Sequence, residues 1–435
     1  MLNLVQIDGV IVDEAVTKDA WFDEFRAPHT DAARELVAEV ICQIEEYEKK
    51  KRLRMRKRKD TPKAPDKTTF ETTVAAIVSD LCYHYSRDPE RRVSVSRSHQ
   101  LVGSKSRYAS EIASTKVRIT LLDYMASPEL ALVVQRIGEK YQDRRTTIQA
   151  GPQLIALIEK HGVDDQDFKK TGYKELIVLR EKRGENWFTD KSKELPYEDT
   201  PETHRYRAEM VRINDWIEAA DLSFDAASCV TRVPVDIRNR NLRRSFTATF
   251  TQVGRLNGGF WQGMNKEERR GIRIDGQPIA CLDYSQSCPR ILYGLAGATP
   301  PREDIYDIPK LRGHRDGTKL LLLSLMCSDQ ERTKRPKGSR KLLPKSPKAT
   351  ELFQWVAEAH PALRPFFWTG IGLNLMFRES VILVDVLLTL IDMGIVALPI
   401  HDAVVVRHDT KEQVKEVMLV KFREHARVDG VVKEE

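Results

Sequence analysis

Two aspartates, Asp283 and Asp402, have the surroundings expected of residues that do chemistry. The apolar run PIACL at 278–282 predicts a buried strand that delivers Asp283 at its end. Two β-branched runs flank His401 and Asp402, which predicts a hairpin with the acid at its tip. If the strand pairs beside this hairpin, the carboxylates meet and bound cations relieve their repulsion. The pattern therefore predicts two magnesium ions, as used for in-line attack on a phosphoryl group.

A helical pattern, RDGTKLLLLSLMC, lies between these segments. Arg315, Lys319, Leu323 and Cys327 recur every four residues and therefore share one face of the predicted helix. Its two cations lie nearest the N-terminus, where a planar guanidinium, an ammonium and the helix dipole can together grip a triphosphate. An ordinary amphipathic helix with a basic margin is the alternative, and taken alone it is the more common case.

The order of these motifs resembles the family A nucleic-acid polymerases, the group that contains bacterial DNA polymerase I and, more distantly, the single-subunit phage RNA polymerases. Four segments carry the resemblance, which covers about residues 230–425: VGRLNGG at 253–259, DYSQ at 283–286, Arg315 with Lys319, and His401 with Asp402. More closely, GRLNGGFWQGM, IDGQPIACLDYSQSCPRILY and ALPIHDAVVV are similar to polymerase-like proteins in bacterial and phage mobile elements.

The resemblance implies an α+β protein with a reduced palm and fingers that synthesises DNA on a template from nucleoside triphosphates. Two Mg²⁺ ions, for which Mn²⁺ can substitute, would lie on Asp283, the Tyr284 carbonyl and Asp402. The primer-template would meet Arg255 and His401. The residues expected around the nucleotide are Arg315, Lys319, Tyr284, Gln286, Cys288 and Leu323.

The sequence departs from the family pattern in three places. Cys288 replaces a Glu that blocks the ribose 2′-hydroxyl, so the sugar gate looks open and ribonucleotides become candidate substrates. This favours, as one alternative, a primase or RNA-synthesising polymerase that makes primers. Cys327 and Ser328 replace the Tyr-Gly that ends the fingers helix, and Ala403 replaces the acid after His-Asp. These two departures support the other alternative, a non-catalytic DNA-binding replication protein with a decayed palm.

The chain before residue 230 predicts three further parts. Residues 1–67 form an N-terminal helix, expected at 17–48, and a linker in which nine of the residues 49–59 are Lys or Arg. That linker is either a solvated tether or an arm that binds phosphates. In 68–163, two helices, a two-stranded ribbon and a closing helix have the order of a winged helix that binds DNA or, alternatively, protein. Residues 164–229, with a helix near 202–220, supply a thumb-like connection to the palm and fingers at 230–435.

Composition limits the class of protein. Among 435 residues there are 71 Lys and Arg and 64 Asp and Glu, a net charge of +7 that excludes a uniformly cationic coat protein but allows local basic surfaces. No apolar run approaches the roughly 20 residues of a membrane span, and the N-terminus lacks a signal pattern. We therefore expect no membrane partner and a cytoplasmic location, and the resemblance to mobile-element proteins implies a bacterial or phage-infected cell. The six cysteines lie too far apart to predict a disulfide framework or a structural zinc site.

Two further patterns have open interpretations. Trp261 and Trp368 have aromatic neighbours and could stack on bases, but such groups are more often part of a core, which we favour. The basic, proline-interrupted segment RPKGSRKLLPKSPK at 335–348 predicts either a fingers loop that contacts a template strand or a solvated insertion.

Overall fold

The computed structural model describes residues 4–7, 10–13, 19–61, 64–97, 107–108, 115–138, 145–182, 192–231, 235–301 and 303–435. Helices and strands are mixed along the chain, which confirms the α+β class. The chain divides into two compact units, Met1–Lys174 and Glu175–Glu435. Within the described ranges, no helix combines the length and the apolar character needed to cross a membrane.

The first unit packs helices against a small sheet. Its helices are α1 (Asp31–Lys50), α2 (Asp66–Arg87), α3 (Thr115–Met125) and α4 (Pro152–His161). Its strands are β1 (Leu4–Ile7), β2 (Val10–Asp13), β3 (Ala20–Trp21), β4 (Arg26–Pro28), β5 (Asp60–Thr61), β6 (Ala64–Pro65), β7 (Val93–Ser94), β8 (Val133–Arg136), β9 (Thr147–Ala150) and β10 (Phe168–Lys170). The sheet has the order β3-β7-β9-β8, with β3 parallel to β7 and the other neighbours antiparallel.

The predicted N-terminal helix at 17–48 is wrong at its start. The helix α1 begins at Asp31, because the Thr30 hydroxyl accepts a hydrogen bond from the Ala33 N–H (3.3 Å) and so caps it. Before this cap the chain is extended, and β4 pairs with β10. Apolar periodicity alone did not reveal the short strands Ala20–Trp21 and Arg26–Pro28, and residues 17 and 18 of the predicted helix lie outside the described residues.

The expected order of helices and ribbon in 68–163 is present. Helices α2, α3 and α4 occupy the predicted segments, and β8 pairs with β9 as an antiparallel ribbon. A short strand, β7, lies between α2 and α3 and extends this ribbon by pairing with β9. The tip of this ribbon, residues 139–144, lies outside the described residues. The winged-helix interpretation stays a prediction.

Part of the basic linker is committed to internal contacts. The Arg58 guanidinium lies 3.5 Å from the centre of the Phe70 ring and pairs with Glu48 at 2.6 Å. Lys51 and Arg54 also pair with acids of the same unit. These three cations therefore fix the linker to the helices beside it, which neither the tether nor the phosphate-binding interpretation anticipated.

The second unit is built on a larger sheet. Its helices are α5 (Pro201–Ala219), α6 (Lys266–Arg269), α7 (Ser287–Leu295), α8 (Arg315–Cys327), α9 (Ala349–Ala359), α10 (Gly372–Asp392) and α11 (Lys411–Ala426). Its strands are β11 (Ile177–Arg180), β12 (Leu222–Phe224), β13 (Arg243–Thr247), β14 (Thr249–Asn257), β15 (Ile272–Ile274), β16 (Gln277–Tyr284), β17 (Ala397–Ile400), β18 (Ala403–Arg407) and β19 (Val432–Glu434). The segment 164–229, predicted as one thumb-like connection, is shared between the two units, and its predicted helix is α5.

The main sheet of this unit has the order β12-β15-β16-β18-β17, and β19 also pairs with β16. A second sheet has the order β11-β13-β14. The long apolar helix α10 contacts β14, α5, α7, α8 and α11, and its buried leucines, isoleucines and valines lie at the centre of the core. Each such side chain contributes roughly 1.5–3 kcal/mol on burial. This core is the support on which the strands that carry the two aspartates rest.

The aromatic pairs divide between core and periphery. Trp261 is fully buried, and its indole N–H donates to the Pro399 carbonyl at 2.8 Å, which confirms the core interpretation. Trp368 is half-buried and packs edge-on against Phe353. Both therefore serve packing.

We expect Asp80→Ala to destabilise the first unit by about 3–5 kcal/mol. Asp80 is fully buried, and its carboxylate accepts a hydrogen bond from the Nε–H of Arg26, which is itself 5% exposed. Removing the carboxylate leaves a buried guanidinium without its principal counterion. Chemical denaturation followed by circular dichroism measures the loss.

Glu129→Ala is the matched control, because Glu129 pairs with Lys51 across an exposed surface. Its cost should be below about 1 kcal/mol. Equal losses for Asp80→Ala and Glu129→Ala would contradict the role given to the buried pair.

Candidate functional site

The two predicted aspartates lie in one cavity. Strand β16 runs antiparallel to β18, with Asp283 opposite Ala403, so Asp402, directly before Ala403, lies beside the end of β16. The expected pairing of the strand with the hairpin is therefore present. Both side chains line a cavity of about 450 Å³. Two carboxylates that are 119 positions apart in sequence are thus neighbours in space.

The hairpin of β17 and β18 turns through two residues, His401 and Asp402. The three valines at 404–406 of β18 are fully buried, so the apolar strand anchors the hairpin while its tip stays accessible. His401 has a positive φ of 55° and an exposed side chain, and it is not among the residues that line the cavity. Burial and then the charge of Arg255 lower the pKa of His401, so its imidazole lies within electrostatic reach of Arg255 although it does not line the cavity.

Burial and like charges raise the pKa of both aspartates. For Asp283, burial and then the charges of Glu435 and Glu379 raise the pKa to about 6, while Lys319 acts in the opposite direction. For Asp402, burial and then the charges of Glu379 and Asp283 raise the pKa to about 7. The cavity therefore concentrates negative charge where little water screens it.

Sequence reasoning missed one buried acid, Glu379 on α10. It is 4% exposed, and its Oε2 lies 2.9 Å from an Arg255 Nη2. Its Oε1 accepts hydrogen bonds from the Ser287 hydroxyl and, at 3.5 Å, from the Cys288 thiol. The signal that could have found it is an Arg-Glu-Ser triplet inside a long apolar helical run.

A local bulge in β14 directs Arg255 toward this acid. Val253 and Gly254 both have φ of 67°, and the pairing of β13 with β14 shifts register beside them. At Gly254 a Cβ would lie 2.6 Å from the Ser380 hydroxyl oxygen, so only glycine allows β14 to approach α10 this closely. Arg255 then reaches Glu379 and lines the cavity, which explains structurally why Gly-Arg-Leu occurs here.

Helix α8 supplies cations to the same cavity. Arg315, Lys319 and Leu323 line it, as expected from their shared helical face, whereas Cys327 does not. The Arg315 Nε–H donates to Asp304 at 2.6 Å, which fixes the guanidinium near the Tyr306 ring. Lys319 is exposed and has no ion-pair partner in the part of the chain that the structure describes.

The remaining predicted residues line the cavity with different groups. The Tyr284 hydroxyl donates to the Met418 carbonyl at 2.6 Å, so its ring is buried in the core and its main chain is the part left at the cavity. The Gln286 side-chain oxygen accepts from the Ile305 N–H at 2.7 Å. Burial, and then the charges of Glu379 and Asp402, raise the pKa of the Cys288 thiol well above its ordinary value. Cys288 is therefore a neutral thiol.

The donor set fits hard divalent cations, which the resemblance implies. Asp283, Tyr284 and Asp402 all line the cavity, and the charges of neighbouring acids raise the pKa of both aspartates. Across the described ranges, no group of three or more His, Cys, Asp and Glu side chains has the arrangement of a metal site. Glu379 and Glu435 also line the cavity, so the acids near an ion held there are not limited to the two aspartates.

Comparison with protein-family models and with curated proteins gives no match for this chain. The cavity and its electrostatics therefore carry the functional argument.

We expect the two aspartates to make the metal-free protein less stable as pH rises from about 4 to about 7. Their folded pKa values, about 6 and about 7, exceed the ordinary value of 3.8, so the folded state retains protons that the unfolded state releases. Each carboxyl lowers the free energy of unfolding by up to about 1.4 kcal/mol per pH unit in this window. The double variant Asp283→Asn/Asp402→Asn lacks both carboxyls and therefore lacks this pH-dependent decrease. Its free energy of unfolding, taken as a difference from that of the wild type, should rise with pH.

Denaturation in the presence of a chelator, repeated across this pH range, measures the difference. Asp215→Asn/Asp221→Asn, which changes two exposed aspartates of the same unit, should show a nearly constant difference from the wild type. A constant difference for the site variant as well would show that the carboxylates titrate normally.

Proposed function

We propose that this protein is a template-directed nucleotidyltransferase that synthesises DNA, with a reduced palm formed by β16, β17 and β18 and fingers that include α8. The observation that carries the proposal is the cavity, where Asp283 and Asp402 lie with Arg315 and Lys319. Acids that can hold cations and cations that can hold phosphates are both needed to transfer a nucleotidyl group. These residues also come in the sequence order that resembles the family A polymerases.

The α8 cations would bind the triphosphate of the incoming nucleotide. Lys319 offers a point charge with no competing ion pair in the described structure, and Arg315 offers a planar fork already oriented by Asp304. Leu323 lies one turn further along and lines the cavity, where it can contact the nucleoside. Gln286 and Cys288 line the cavity too and would shape the space around the sugar.

Asp283, Asp402 and the Tyr284 carbonyl would hold two Mg²⁺ ions, or Mn²⁺ in their place. When bound, such ions lower the pKa of the attacking hydroxyl and stabilise the negative charge on the leaving group. The protein's own part is to keep both carboxylates side by side through the pairing of β16 with β18. Arg255 holds Glu379 in an ion pair, so this third acid is neutralised locally.

In the proposed reaction, the 3′-hydroxyl of a primer gives its proton to water and its oxygen bonds to the α-phosphorus of the nucleotide. The bond from the α-phosphorus to the oxygen that bridges the α- and β-phosphates breaks, and pyrophosphate leaves with that oxygen. Arg255 and His401 would face the primer-template, and the winged-helix-like region of the first unit would bind DNA. Positioning and electrostatic stabilisation would supply most of the rate. We place this activity in the cytoplasm of a bacterial or phage-infected cell.

Asp402→Asn should reduce primer extension by about 10³-fold or more, because it removes a carboxylate from the centre of the reaction. Asp409→Asn, which changes an exposed aspartate just after the same strand, is the control and should retain activity. Mn²⁺ titration followed by electron paramagnetic resonance gives an independent readout. There Asp402→Asn should bind at least about tenfold more weakly. Full extension by Asp402→Asn would refute the site.

We also expect UTP and dTTP to be incorporated at comparable rates, within about tenfold of each other. Cys288 is a small neutral side chain at the position where the resembled polymerases carry a blocking Glu. Single-nucleotide extension opposite template dA measures the ratio of rates. Strict rejection of UTP would show that the site excludes the ribose 2′-hydroxyl. Recovery of UTP use in Glu379→Ala would then identify Glu379, which contacts the Cys288 thiol, as the group that excludes it.

Two alternatives differ in the products they predict. A primase or RNA-synthesising polymerase starts products on an unprimed template, which radiolabelled nucleotides reveal directly. A non-catalytic DNA-binding protein with a decayed palm incorporates nothing. Ala403 and the Cys327-Ser328 pair are the features that favour it.

A further inference from the structure

A short segment of the second unit concentrates positive charge. We call residues 330–348, between α8 and α9, the basic loop. It contains eight Lys and Arg and one Glu, a net charge of +7 that equals the net charge of the whole chain. It contains no aromatic residue. Such a density of cations is costly in self-repulsion and is relieved by an anionic partner.

The basic loop is held in a defined conformation. An Arg335 Nη2 donates to the carbonyls of Lys345, at 3.1 Å, and Pro347, at 2.6 Å, which ties the two ends of the loop together. Within the loop, Ser339 and Leu343 are buried. The loop is therefore a shaped surface with its own internal support.

Two cavities open on this surface. Their volumes are about 570 and 740 Å³, and Arg335 and Arg340 line both. Lys334 lines the first cavity, while Lys341 and Lys345 line the second. Within the described residues, Lys334, Arg340, Lys341 and Lys345 have no ion-pair partner. Four cations thus line two adjacent recesses without an internal counterion.

The basic loop is attached to the helix that carries the proposed nucleotide-binding cations. His314 Nδ1 lies 3.0 Å from the Leu342 carbonyl oxygen. At Gly317, in the first turn of α8, a Cβ would come within 2.5 Å of that same oxygen, so the loop packs directly on the helix backbone. The loop is therefore fixed relative to Arg315, which lines the site cavity from the same turn.

We propose that the basic loop binds the phosphodiester backbone of a single-stranded nucleic acid, namely the unpaired template strand close to the cavity. The inference rests on the proposed function. Unpaired lysines and arginines suit phosphates, and the absence of aromatic side chains argues against stacking on bases, so binding is independent of sequence. Two adjacent recesses that share Arg335 and Arg340 suit successive phosphates of a continuous polyanion better than one isolated anion.

The test compares two full-length variants with equal charge loss. The loop variant is Lys334→Gln/Arg340→Gln/Lys341→Gln/Lys345→Gln. The control, Lys266→Gln/Arg270→Gln/Lys415→Gln/Arg423→Gln, removes four cations from α6, α11 and the residue that follows α6. Fluorescence anisotropy measures affinity for a primer-template with a single-stranded 5′ template extension of about 12 nucleotides, and for a blunt duplex.

The loop variant should lose at least about tenfold in affinity for the extended template at moderate salt, and little for the blunt duplex. Its slope of log affinity against log salt should become shallower by up to about 3, because each phosphate contact on a single strand accounts for about 0.7. Equal losses in both variants, or equal losses on both DNAs, would overturn the proposal. The proposal would also be overturned if the wild type bound polyglutamate in a loop-dependent way but showed no loop-dependent binding of the oligonucleotide.

A separate primer-extension assay on wild-type protein distinguishes this proposal from the proposed function. If the wild type incorporates nucleotides but the loop variant shows no specific binding defect, the proposed template-binding role of the loop is wrong and the proposed function stands. If the loop variant has a specific binding defect but the wild type incorporates no nucleotide, the proposed enzymatic function is wrong. The bound strand is then not a template, because a non-catalytic DNA-binding protein would use the same surface.

Discussion

The second unit depends on one electrostatic constraint, the enforced proximity of two carboxylates. The pairing of β16 with β18 places Asp283 opposite Ala403 and so brings Asp402 beside it. Both pKa values rise because burial and neighbouring acids disfavour ionisation. An isolated pair of acids would avoid this by moving apart, but the apolar strands around them are fully packed. The repulsion is therefore retained in the fold, available to be relieved by cations.

The surrounding residues partly balance this charge without removing it. Arg255 pairs with Glu379, so those two residues add little net charge even though Glu379 lies close enough to raise the pKa of both aspartates. Lys319 opposes the rise for Asp283 but stays exposed and forms no ion pair in the described part of the chain. A fully compensated cluster would have no affinity left for a ligand. The partial balance is what gives the cavity both an acidic and a basic side.

Local patterns predicted much of the site, and long-range contacts explain what they missed. The apolar run before Asp283, the hairpin at 401–402 and the face of α8 are each encoded within a few residues, so local sequence patterns revealed them. Glu379 acts through Arg255, 124 positions away, and no local pattern encodes that contact. The start of α1 was missed for a related reason, since the extended segment before Thr30 is defined by its pairing of β4 with β10.

The proximity of the two aspartates also explains why alanine is suited to position 403, where the resembled polymerases carry an acid. Its presence there is one of the features that favour a decayed palm. Ala403 is 5% exposed and directly opposite Asp283 in the ladder. A carboxylate there would add a further negative charge to a pair whose pKa values already stand at about 6 and 7, and burial would leave it poorly solvated. Glu379 already supplies a third acid nearby, in a form neutralised by Arg255. Alanine at 403 therefore limits the repulsion between acids that the fold must sustain. It is compatible with a functional site in which Glu379, and not position 403, supplies the third acid.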